Sequence, residues 1–281
     1  MIAPASDVPA LPDRLDDEAF FQLIGGQERY DVRLEIDYAL CRLAWLNSGR
    51  WTDRSRPRLV LKGGFAIRHI YHSNRLSADV DVAPTHLLGR GQAGLALPSD
   101  FVLKSVDLAR SEKAERWNMT FESVVGASEQ RVWADVNFGR PVRLPPPEHK
   151  PFVSLFLPTF EVWVATIEEI LAEKAQGLIS YRYGDQDRIK DAFDLWFLMS
   201  NGRAQGLNRE RLQVVLSTLW VTEGIKCPTS GFGVLFRSVL DERNAARDWG
   251  RHVRVQIVRG KTVSFDEVKQ ELPAMAQRHL G

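Results

Sequence analysis

Two acidic residues separated by one, in the run Asp79-Val80-Asp81-Val82, constrain this chain more than any other feature. Alternation of acid and valine is the pattern of a half-buried β-strand, which sends both carboxylates to one face and both valines to the other. Two like charges that close repel, and burial makes the repulsion worse. A divalent ion relieves it, and Mg²⁺ takes one or two carboxylates together with phosphate oxygens. Upstream, Leu59-Val60-Leu61 reads as a short buried strand entering a tight turn at Gly63-Gly64, with a short helix from Phe65 to Tyr71. Glycine lets backbone approach a ligand closely, and the free N–H groups at a helix start cradle phosphate. Residues 62–84, KGGFAIRHIYHSNRLSADVDVAP, therefore couple a phosphate-binding turn to a metal-binding strand.

Around this segment the periodicity predicts an α+β chain. Residues 1–28 are a leader, and residues 29–47 form an amphipathic helix with Val32, Ile36, Leu40 and Leu43 on one face. Residues 85–98 read as a glycine-rich loop. Trp117–Val125 and Arg131–Phe138 read as a hairpin turning at GASEQ. Five prolines between Pro141 and Pro151 mark the seam between a core at 29–150 and a mostly helical lobe at 151–281. In that lobe Phe160–Val164 is strand-like. Thr166 and Glu169 form a capping-box signature for a helix to about Ser180, and a second helix runs from about Asp187 to Ser200. Further helices are expected near 208–222, 241–255 and 265–279.

Several side chains outside the first segment bear on chemistry. Asp135, in VWADVNF, would face away from Val132, Ala134 and Val136, either as a third metal-binding carboxylate or as an edge-strand acid in water. Lys174 falls within the apolar stripe of Ile167, Ile170, Leu171 and Leu178, where an unpaired ammonium is costly to bury. It must find an anion, either a triphosphate or an internal aspartate. Asp187, Asp191 and Asp194 share a helix face, within about 60° of one another by helical geometry, and need a cation such as Lys174, Arg182 or Arg188. Asp194 is assigned to a backbone hydrogen bond or a cap, while Ile189, Ala192, Phe193 and Trp196 form core. His69 and His72 read as surface or internally satisfied histidines.

Composition excludes other classes. Cys41 and Cys227 are too few for a disulfide scaffold, show no zinc-type spacing, and read as packing residues in a reducing compartment. No apolar run approaches the roughly 20 residues of a membrane span, and no signal peptide is evident, so a cytoplasmic protein is expected. The net charge of +1 argues against indiscriminate nucleic-acid binding. It conceals a balance of −5 over residues 1–46 and +5 over residues 201–281. Arg243, Arg247, Arg251 and Arg254 would make a basic stripe on a helix, suited to a phosphate backbone or to a solvated face.

The motifs KGG-x-A-(I/L)-R and R-x-S-x-D-x-D resemble those of the AbiEii/AbiGii nucleotidyltransferase toxins, within the polymerase-β-like nucleotidyltransferase superfamily. A second landmark, EEILAEKAQGLISYRYGDQDRIKDAFDLWFL at 168–198, is similar to that group's Glu-Glu-Ile-Leu…Lys helix and its (R/K)-D-x-x-D-L helix. The resemblance implies a polymerase-β-like core with a mixed sheet and a helical lobe that completes the active site. Asp79, Asp81 and Asp135 would hold one or two Mg²⁺, and Lys62, Gly63, Gly64 and Ser77 would bind the NTP. Lys174 would act on the phosphates with Asp191 orienting it. It further implies transfer of NMP to RNA, notably the tRNA 3′ end, translation block, and a cognate antitoxin. A small-molecule or protein acceptor, or a catalytically silent RNA-binding module, are the competing readings. Phe65 departs from the pattern, because the family commonly has Ser or Thr after the glycine pair. The backbone amides suffice, Ser73 or Ser77 substitutes, or triphosphate binding is weakened.

Overall fold

The computed structural model describes residues 32–51, 59–85, 95–97, 103–111, 114–122, 129–138, 146–200, 206–223, 231–253 and 263–281. The expected leader, most of the 85–98 loop, the GASEQ turn, Arg254 and Cys227 lie outside these residues. The chain divides into two compact units. One holds the chain to His72, Leu76–Val142 and Pro147–Val164; the other holds Ser73–Arg75, Arg143–Pro146 and Ala165–Gly281.

The first unit is built on a seven-stranded mixed sheet ordered β3-β4-β5-β2-β1-β7-β6. The strands are β1 (Leu59–Lys62), β2 (Asp79–Pro84), β3 (Leu103–Arg110), β4 (Ala114–Glu122), β5 (Glu129–Asn137), β6 (Glu148–Phe152) and β7 (Phe160–Val164). Helix α1 (Val32–Trp51) precedes β1, and α2 (Gly63–Tyr71) follows it directly. All four residues of β1 are buried, as a central apolar strand requires. β2 runs antiparallel to β1 and parallel to β5, so the acidic strand sits in the middle of the sheet. α1 is anchored by edge-on ring contacts, Tyr38 on Phe156 and Trp45 on Phe160.

Two expectations change. The expected boundary at residue 150 falls inside β6, whereas β6 pairs antiparallel with β7, both belong to the first unit, and the division falls after Val164. Pro151 lies inside β6, an edge strand, the position where a missing N–H costs the sheet least. β3 is an element the sequence did not reveal. It too is an edge strand, and from Lys104 to Arg110 no side chain is buried, so it carries no apolar alternation to read.

The second unit is helical: α3 (Ile167–Ser180), α4 (Ile189–Met199), α5 (Arg209–Glu223), α6 (Gly231–Leu240), α7 (Ala245–His252) and α8 (Phe265–His279). Thr166 caps α3 as its spacing predicts, its hydroxyl accepting the Glu169 N–H, and Ser264 with Glu267 forms a full capping box on α8. The helix expected at 241–255 is shorter, and α6 ahead of it was not foreseen. Phe193, on the expected core stripe of α4, packs near Trp196 and Trp249. No described helix is long and apolar enough to cross a membrane.

Candidate active site

β2 does what its alternation predicts. Val80 and Val82 are buried, each 1% exposed, while Asp79 and Asp81 point to the other face. β5 lies parallel beside it with Asp135 opposite Asp81, and Val132, Ala134 and Val136 are buried behind. Asp79, Asp81 and Asp135 each offer an oxygen, and these oxygens lie within 4.8 Å of one another. Three carboxylates converge that closely at an energetic cost unless cations share them. An all-oxygen donor set fits a hard divalent ion such as Mg²⁺.

The glycine turn closes the same face. Lys62 is the antiparallel partner of Asp81 and is buried at 6% exposure. Gly63 follows with φ +70°, a left-handed conformation that glycine alone adopts cheaply. A Cβ there would collide with the Asp81 carboxylate, so the missing side chain is what lets turn and acid share the space. α2 starts here without a side-chain cap from Lys62. Phe65 is fully buried against Phe152 and His69, so the departure at this position is a core residue and does not fill the turn. Ser77 donates from Oγ to Asp79 Oδ1 at 2.7 Å, fixing that carboxylate's orientation.

Arg116, which the sequence reading missed, stands opposite Asp135 on β4 and donates from Nε and an Nη to its two oxygens, each at 2.7 Å. The hydrogen bonds to Asp135, with Asp79 and Asp81 adding to them, hold the guanidinium above its usual pKa range. In this state Arg116 offsets one of the three negative charges.

In the helical unit the expected acidic face resolves differently for each member. Lys174 Nζ donates to Asp191 Oδ1 at 2.7 Å and lies 2.8 Å from Asp194 Oδ2. Of its two possible partners, an internal aspartate is what the structure supplies, and it supplies two. Burial would discharge the ammonium, but Asp191 and Asp194 outweigh it and hold the group well above its ordinary range. Asp194 is no backbone cap. It accepts a two-pronged bond from Arg75, at 2.8 and 2.7 Å, as well as the lysine. Burial pushes its carboxyl up, yet Arg75 and Lys174 bring it down to about 2. Asp187 lies outside α4, in a 3₁₀ turn at Gln186–Arg188, and pairs with Lys190. Gly177 of α3 faces Asp191, whose Oδ2 occupies the space where a Cβ would stand.

The histidine and arginine candidates take no part in the carboxylate cluster. His69 is buried and satisfied, whereas His72 is exposed at the left-handed end of α2. The arginine stripe is broken: Arg243 precedes α7, and Arg247 contacts Asp248.

Comparison with known proteins agrees with this geometry. The family model "Nucleotidyl transferase AbiEii toxin, Type IV TA system" matches residues 46–271. No curated protein matches the sequence significantly. Three solved structures share the fold. A candidate nucleotidyltransferase from H. pylori aligns with TM-score 0.57 at 17% identity, covering 89% of this chain and 95% of its own. JHP933 from Helicobacter pylori gives 0.54 at 18%, over 88% and 90%. MenT4, a nucleotidyltransferase toxin from Mycobacterium tuberculosis H37Rv, gives 0.52 at 22%, over 95% and 96%.

Proposed function

The chain belongs to the AbiEii nucleotidyltransferase toxin family of type IV toxin–antitoxin systems and is a nucleotidyltransferase; from that premise we propose that its acceptor is RNA, specifically the 3′ end of tRNA. In this reading an acceptor hydroxyl oxygen attacks the α-phosphorus of an NTP. The new P–O bond forms as the bond to the β-phosphate oxygen breaks, and pyrophosphate leaves. Translation stops because the modified tRNA no longer accepts an amino acid, which places the protein in the cytoplasm with a cognate antitoxin to restrain it.

The observation that carries the reading is the convergence of Asp79, Asp81 and Asp135 beside the Gly63 turn. Those three carboxylates would hold one or two Mg²⁺, which when bound lower the acceptor hydroxyl's pKa and screen the triphosphate. Lys62, Gly63, Gly64 and Ser77 serve the nucleotide. The first N–H groups of α2 bind phosphate oxygens, and Ser77 keeps Asp79 turned toward the centre. Lys174, with Asp191 orienting it, supplies positive charge where negative charge accumulates. Two of its N–H donors meet Asp191 and Asp194.

The test is to incubate the protein with each radiolabelled NTP, Mg²⁺ and total tRNA. Label on tRNA supports the reading, and Asp81→Ala should lower it by at least about a hundredfold, the several kcal/mol that metal-held charge stabilisation supplies. Label on protein or on small molecules alone, or transfer that survives Asp81→Ala, defeats it.

A further inference from the structure

Behind the glycine turn, in the same unit, lies a second constellation that nucleotidyl transfer does not use. Asp37 and Cys41 sit one helical turn apart on α1, and His69 reaches them from α2. All three are buried, at 1%, 0% and 3% exposure, and a carboxylate oxygen, a sulfur and a ring nitrogen lie within 4.8 Å of one another. We propose that Asp37, Cys41 and His69 form a binding site for a tetrahedral divalent metal, zinc by ligand type, that ties α1 to α2 beneath the phosphate-binding turn.

The histidine gives the first reason. Nδ1 lies 2.8 Å from the Val153 carbonyl oxygen, which can only accept, so Nδ1 carries a proton. Nε2 then has two options at the Asp37 side, 3.1 Å from Oδ1: a second proton, or a lone pair given to a cation. A backbone carbonyl fixing the far nitrogen is the usual arrangement behind a metal-ligating imidazole. The stacked ring of Phe152 and the tilted ring of Phe65 lock its plane.

Cys41 decides between the options. Its Sγ lies 3.6 Å from His69 Nε2. Tetrahedral zinc, with Zn–S about 2.3 Å and Zn–N about 2.0–2.1 Å, separates such a pair by roughly 3.6 Å. Ser154 Oγ accepts the N–H groups of Phe156 and Leu157, and its hydroxyl hydrogen-bonds Cys41, as suits a thiolate. Without a metal, burial holds this thiol well above its ordinary range, and it stays protonated. Arg68 forks onto Asp37 at 3.0–3.2 Å, the support a ligating carboxylate ordinarily has.

One divalent ion enters as the thiol proton leaves Cys41 Sγ to solvent and His69 Nε2 presents its lone pair. The mixed sulfur, nitrogen and oxygen set selects zinc over the magnesium suited to the all-oxygen cluster.

The site is tested on the full chain carrying Asp81→Ala, to silence the carboxylate cluster, and Cys227→Ser, to leave Cys41 as the sole sulfur ligand. Mass spectrometry of the purified protein should find roughly one zinc per chain, as a single tetrahedral site implies. Co²⁺ exchanged into it should give tetrahedral d–d bands and a thiolate-to-metal charge-transfer band. Adding Cys41→Ser should abolish both the zinc and that band. Folded protein that retains no Zn²⁺ or Co²⁺ after gel filtration, or a Co²⁺ spectrum without the thiolate band, overturns the proposal. The unsubstituted Cys41 protein decides this even if Cys41→Ser does not fold. Neither outcome touches nucleotidyl transfer, which this inference goes beyond.

Discussion

Gly63 and Asp81 occupy the same space: a methyl group on the glycine would collide with the aspartate's carboxylate. The positive φ of Gly63 adds backbone strain for any L side chain, on the order of 1–2 kcal/mol. Gly63→Ala should therefore lower the melting temperature and abolish nucleotidyl transfer, because Asp81 has to swing away from Asp79 and Asp135. Calorimetry and a labelled-NTP assay measure the two effects. Full transfer by the alanine variant would mean that the turn has no part in the site.

Arg116 and a cation held by the carboxylate cluster would compete for Asp135. Removing one positive charge a few ångströms from a cation site is worth on the order of 1 kcal/mol in a solvated setting. Since Arg116 is more than half exposed, the lower end of such figures applies. Arg116→Gln should reduce the half-saturating Mg²⁺ concentration about three- to tenfold, read by Mn²⁺ titration calorimetry as well as by rate. An unchanged or raised metal requirement would assign Arg116 to holding Asp135 in place.

Arg75 and Asp194 form a buried pair that loses its balance in acid. The folded protein keeps Asp194 ionised down to about pH 2, whereas the unfolded chain protonates it near its ordinary value of 3.8. Protons thus favour the unfolded state in that window. The pair's contribution is complete above about pH 4 and disappears as pH falls toward 2. Asp194→Asn should cost about 3–5 kcal/mol at neutral pH, the penalty for leaving buried partners uncompensated. It should also flatten the acid limb of stability measured by urea denaturation. An acid limb as steep in the variant as in the parent protein would contradict the pairing.

Gly177 should reverse a familiar rule. Replacing a glycine inside a helix with alanine ordinarily stabilises by roughly 0.5–1 kcal/mol. Here the new methyl meets Asp191 Oδ2 and pushes that carboxylate off Lys174. Gly177→Ala should lower the melting temperature and reduce transfer. A rise in stability with unchanged activity would show that Asp191 has room to move.

What the sequence determined by itself were the features that arise within a few residues of chain. The shared face of Asp79 and Asp81 follows from the two-residue period of a strand. The α3 cap follows from Thr166 and Glu169, and the burial of Lys174 from helical spacing. Each is set by local geometry, which a linear string preserves. The family motifs added the expectation that these pieces belong together.

Only the tertiary structure decided the rest, because a partner's identity depends on register and long-range closure. Arg116 meets Asp135 through the exact offset of β4 against β5, and a strand reading that began at Trp117 left Arg116 out. Asp194 found Arg75, 119 residues away in sequence, where no local pattern could point. β3 stayed hidden because an edge strand need bury nothing, and β6 because its proline reads as a break until its edge position is known. Gly63 and Gly177 look alike as flexible residues in the string. At both, a carboxylate from another element occupies the volume a side chain would need, and Gly63 adds a positive φ.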